Sequence, residues 1–112
     1  MAVLALSLTA CSLTACSRDY IFEGNEYSNP IKVARIKELY QARDACLAKN
    51  AVPSAGGGSD VASIARAVSL SCAPETDRLI AATNVDRDPK VVEAIRNDTE
   101  QRATLYVLKA RG

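Results

Sequence analysis

The residues of this 112-residue sequence most able to do chemistry are its four cysteines, Cys11, Cys16, Cys46 and Cys72. A thiol can carry a lipid, pair with another thiol, ligate a metal or attack as a nucleophile, and its neighbours decide which. The sequence has no His, so the commonest general base and the commonest zinc ligand are missing. Cys46 and Cys72 are far from the Cys-x-x-Cys spacing of redox motifs, and two thiols alone do not complete a metal site. Ser69 and Ser71 have no His to activate them. Glu38 and Asp44 are six residues apart and should not share a helix face, and Glu75 and Asp77, beside Pro74, should face solvent. Gly56 to Gly58 do not make a phosphate loop, because no Lys-Ser/Thr follows and no strand pattern precedes. These residues predict a protein that is not an enzyme, with no catalytic residue, no metal and no cofactor.

Charge excludes another class. Fourteen Lys and Arg oppose thirteen Asp and Glu, a net charge of +1, with the signs interspersed. No basic run stands out, so nucleic acid is not an expected partner. No long apolar run follows residue 22 that could span a bilayer.

Residues 30–112 carry helical periodicity. Asn29 as N-cap and Pro30 at the first position open a helix whose apolar stripe is Val33, Ile36, Leu39, Tyr40, Cys46 and Leu47. Arg43 interrupts that stripe, Lys32, Lys37 and Asp44 lie outside it, and Asn50 is the expected stop. Pro53 and the three glycines mark residues 51–60 as a flexible loop. A second helix should start after Ser59 or Asp60 with the stripe Val61, Ile64, Ala65, Val68, Cys72, Leu79 and Ile80. Pro74 lies inside it and should kink or split it near Cys72–Ala73. Residues 84–88 read as a turn. Asp88 and Pro89 open a third helix bearing Val91, Val92, Ile95, Ala103, Tyr106, Val107 and Ala110. Its centre, Asn97 to Arg102, is six polar residues in a row, with Asp98 and Arg102 spaced for a helical ion pair. Leu105 to Leu108 could form a short strand, but a lone strand has no partner. The expected fold is all-α: a small three-helix bundle, four segments if Pro74 breaks the second helix.

The N-terminus supplies a resemblance. Residues 2–16 are uncharged and mostly apolar or small, too short to span a bilayer but of a length that suits the apolar part of an export signal. No Lys or Arg precedes them. The pentapeptide Ser-Leu-Thr-Ala-Cys occurs in tandem at 7–11 and 12–16. Leu13-Thr14-Ala15-Cys16, and equally Leu8-Thr9-Ala10-Cys11, resembles the lipobox of bacterial lipoproteins. The resemblance covers this segment alone. It implies cleavage before a cysteine whose thiol carries a diacylglyceryl group, and the Ser that follows implies the outer membrane. The chain then divides into a signal peptide (1–15), a lipidated tether (16–29) and a helical domain (30–112). Residues 17–112 resemble small helical secreted proteins of bacteria without matching one named family.

Parity links the anchor to the other thiols. With Cys16 lipidated, Cys46 and Cys72 remain as a pair; with the alternative, Cys11, three thiols remain in an oxidising compartment. The expectation is therefore Cys16 as anchor, with a Cys46–Cys72 disulfide as a staple for a core poor in aromatics. These features predict a lipoprotein anchored by its lipid to the outer membrane and facing the periplasm, acting as an interaction or structural module with an envelope protein partner. The alternative is a small inhibitor or ligand-binding lipoprotein. An interaction module should show an exposed apolar patch, a ligand binder an enclosed pocket. Thin helices leave little room for a pocket, so a small-molecule ligand is not expected.

Overall fold

The computed structural model describes residues 29–56 and 58–112. Four helices follow in order: α1 (Pro30–Ser54), α2 (Val61–Ser71), α3 (Ala73–Thr83) and α4 (Pro89–Arg111). No strand occurs among the described residues, so Leu105 to Leu108 are helical.

The expected three helices are four because Pro74 breaks the second. Pro74 has no N–H to give the carbonyl four residues back, so the ladder lapses there, and Cys72 leaves helical geometry at φ −103°, ψ 17°. The Cys72 amide keeps its helical bond to the Val68 carbonyl and also reaches that of Ser69. Pro74 then sits in the first turn of α3, where a missing N–H costs nothing.

The first helix overruns its expected stop. Asn50 does not end it: its Nδ2 donates to the Cys46 carbonyl at 2.8 Å, and the helix continues through Pro53 to Ser54. Ala51 and Ala55 are buried on this last turn, and their packing outweighs the local breakers. The loop therefore starts at Ala55. Caps fall where expected at the three helix starts: Asn29 Oδ1 accepts from Ile31 N, Asp60 Oδ1 from Ser63 N and Asp88 Oδ1 from Lys90 N.

Contacts fix the directions of the helices. Arg43 meets Asp98, and Arg111 reaches the Ala55 carbonyl, so α1 and α4 run parallel. Arg66 pairs with Glu100 and Arg111 reaches Ser59, so α2 runs antiparallel to α4. The bundle is thus up, down through the broken α2–α3 rod, and up again. Its core has two apolar halves. One holds Leu47, Ala51, Ile64, Val68, Cys72, Ala103 and Val107. The other holds Ile36, Leu39, Tyr40, Leu79 and Ile95. Ala110, expected on the apolar stripe of the last helix, is exposed.

Between α3 and α4 the chain turns on Asn84. Its side chain donates to the Asp88 carbonyl and accepts from the Asp88 amide, both at 2.8 Å. The turn places Arg87 at φ 55°, a left-handed conformation unusual for a residue with a Cβ.

Candidate functional site

Cys11 and Cys16, the expected lipid sites, lie outside the described residues, as do the signal peptide and nearly all of the tether. Cys46 and Cys72 come together. Cys46 is on α1 and Cys72 sits at the α2–α3 joint, and the two form a disulfide pair with Cα atoms 5.9 Å apart. The antiparallel approach of α1 to the broken rod creates this meeting, and the break at Pro74 aims Cys72 at α1.

Two side chains surround the pair. Asn50 Nδ2 lies 3.5 Å from Cys46 Sγ and 3.7 Å from Cys72 Sγ. Glu75, one helical turn beyond Cys72, is half-buried rather than facing solvent as its place beside Pro74 suggests. Its Oε2 is buried without a hydrogen-bond partner. The ligand atoms of Cys46, Cys72 and Glu75 all lie within 4.8 Å of one another.

A second polar cluster divides the two halves of the core. Arg43, which merely interrupts an apolar stripe in the sequence, has no exposed surface at all. Its guanidinium donates to Asp44 Oδ1 at 3.0 and 2.9 Å and to Thr99 Oγ1 at 3.2 Å, and it meets Asp98 Oδ2 at 2.9 Å. It also lies 5.0 Å from the centroid of the Tyr40 ring. Arg102 bonds Asp98, the expected helical ion pair, and reaches across to Asp44 Oδ2 at 3.3 Å. Asp44, expected outside the buried stripe, is therefore buried, because it neutralises Arg43. Two cations meet two anions, so the cluster carries no net charge. Half of the polar run Asn97 to Arg102 is explained: Asp98 and Thr99 pair with the buried arginine, and Arg102 joins them through Asp98 and Asp44. Sequence reasoning missed this. The signal was there in two anomalies, a cation on an apolar stripe and a polar stretch at the centre of an amphipathic helix.

Tyr106 packs beside the first core half, and burial pushes its hydroxyl pKa upward, aided by the Asp44 charge and opposed by Arg102 and Arg43. Asp60 shows the opposite shift. Hydrogen bonds from the Ser63 side chain and amide hold its carboxyl below the usual value.

An open groove of about 400 Å³ runs between α2, α3 and α4, walled by Arg66, Ser69, Leu70, Thr76 and Arg96 among others. Ser69 Oγ, on this wall, is buried without a hydrogen-bond partner. Apolar side chains are also exposed at the far end of the bundle: Leu105 (65% exposed) and Leu108 (50%) on α4, with Val52 on α1. Arg111 bonding to Ala55 puts Val52 at nearly the height of Leu108. No described helix is long and apolar enough to cross a membrane.

Comparison adds no likeness to this description: no family, no curated protein and no solved structure matches the chain.

Proposed function

We propose that this chain is a lipid-anchored envelope protein that acts as an interaction module, held by Cys16 (or Cys11) to the outer membrane and facing the periplasm. The observation that carries the module reading is the pair of exposed leucines, Leu105 and Leu108, one helical turn apart on α4. It lies at the opposite end of the bundle from Pro30, where the chain enters α1. A tether attached at that entry can extend by up to roughly 45 Å over residues 17–29, a reach that allows the far end of the bundle to stand clear of the membrane. Exposed leucines three residues apart on one helix are what a helical partner can bury. The buried charges are spent inside the bundle, and no catalytic role is assigned to them.

The ligand-binding alternative has the α2–α3–α4 groove and the unsatisfied Ser69 hydroxyl in its favour. Its openness favours the module, because small ligands are held by enclosure.

Two experiments test the proposal. Mass spectrometry of the mature N-terminus should find a diacylglyceryl group on Cys16; an unmodified Met1 in a cytoplasmic fraction would refute the anchor. A photocrosslinking residue at Leu105 in living cells should yield a discrete adduct that is absent when the same residue replaces Arg66. The module reading fails if the adducts are the same from both positions, or absent from both.

A further inference from the structure

We propose that reduction of the Cys46–Cys72 bond converts its surroundings into a three-ligand site for a thiophilic divalent cation such as Zn²⁺, with Cys46, Cys72 and Glu75 as ligands. Crosslink and metal are then alternative occupants of one position. This inference does not depend on the anchor.

Geometry is the first support. The three ligand atoms already lie within 4.8 Å of one another. Tetrahedral zinc at about 2.3 Å from sulfur and 2.0 Å from oxygen sets ligand atoms about 3.5–3.8 Å apart. The sulfurs must part from bonding distance and the carboxylate must close by about 1 Å. Side-chain rotation at three positions on two packed helices suffices for shifts of that size.

The second support is Glu75 itself. A buried carboxylate oxygen with no hydrogen bond is costly and needs an explanation. The carboxylate neither accepts a hydrogen bond nor joins an ion pair among the described residues. A cation between it and two thiolates supplies the missing partner. Charge agrees: two thiolates and one carboxylate around a divalent cation leave one net negative charge, and Asn50 Nδ2, 3.5 and 3.7 Å from the sulfurs, donates toward them. That amide is held in place by its bond to the Cys46 carbonyl.

Exposure decides how the site opens. Cys72 is fully buried, whereas Cys46 and Glu75 are half-buried. A dithiol reductant therefore attacks Cys46 Sγ. The sulfur–sulfur bond breaks, a mixed disulfide forms on Cys46, and Cys72 leaves as a thiolate that takes up a proton. The reductant's second thiol then displaces Cys46, which ends as a thiol, while the reductant ends as its own disulfide, having given two electrons and two protons. Metal binding releases two protons from the cysteine thiols. The half-exposed side of the site leaves a fourth position for water.

The test uses the full chain with Cys11→Ser and Cys16→Ser, so that these two thiols are the metal-binding pair. It is reduced with a phosphine, which does not compete for the metal as a dithiol would, and titrated with Co²⁺ and then Zn²⁺. We expect a sulfur-to-cobalt charge-transfer band at one equivalent after reduction and none before it. Zn²⁺ should displace the Co²⁺ and abolish the band. Glu75→Gln, which keeps the crosslink and the helical circular dichroism, should bind at least tenfold more weakly, and Cys46→Ser should lose the band. Equal affinity in Glu75→Gln, or a reduced and still helical protein without the band, overturns the proposal. If reduction unfolds the chain, Zn²⁺ should restore its helical signal, and failure to restore it is equally fatal.

Discussion

Arg43 shows how far a single side chain can depart from its sequence appearance. A guanidinium with no exposed surface is tolerable only if fully paired, and here Asp44, Asp98 and Thr99 take its donors. Replacing Arg43 by Met should therefore destabilise the bundle by about 3 kcal/mol, near the lower end for a broken buried pair, because Asp98 can still be solvated. Urea unfolding of the variant measures this, and a loss under about 1 kcal/mol would show that the cluster does not need its centre. Asp60 makes a pH prediction. Its carboxyl is held below the ordinary carboxylate value by the Ser63 hydrogen bonds, so the folded state favours the ion. That stabilisation is complete above the unfolded value and is lost as pH falls through the lower folded one. Asp60→Asn keeps an oxygen acceptor but cannot titrate, so its acid-side stability curve should be flatter. Melting curves between about pH 2 and 7 will show whether the parent's advantage over the variant is full at the neutral end and shrinks toward the acid end, as it must. The Asp60 cap was legible from residue type and place. The Arg43 cluster was not, because its acids lie on two helices and the sequence does not say which helix faces which.

At the scale of elements, local signals placed most helix starts and misplaced one end. Asn29, Asp60 and Asp88 cap as their types predict, and two of the helices they open begin with Pro. The end of α1 was misread because Asn50 and Pro53 are local breakers, whereas Ala51 and Ala55 are held by burial against other helices. Pro74 tests whether the α2–α3 break is set locally. In Pro74→Ala the local cause of the break is gone, and the joint should persist only because Cys72 remains fixed to α1. Stability should fall by about 0.5–1 kcal/mol through the freer unfolded chain. Helical circular dichroism that rises clearly in this variant would show instead that Pro74 alone enforces the break.

Over the described residues the molecule is two small apolar halves separated by a polar layer and held by a crosslink beside that layer. The segment between Cys46 and Cys72 spans a separation of 26 residues, and closing it should stabilise the fold by about 3.5 kcal/mol in the chain-entropy description. Cys46→Ala with Cys72→Ala should lower stability by about that amount yet stay folded, since small domains commonly hold about 5–15 kcal/mol. Denaturant titration of the double variant beside the oxidised parent checks it, and no difference would mean that the staple carries no load. The sequence by itself determined the all-helical class, the caps, the place of the break and the Asp98–Arg102 pair. These follow from local preference and from spacing along one helix. The parallel course of α1 and α4, the burial of Arg43 and Asp44, and the half-buried Glu75 beside the two sulfurs were decided by tertiary structure. Each depends on which faces meet between helices distant in sequence, and periodicity within one helix carries no information about its neighbour.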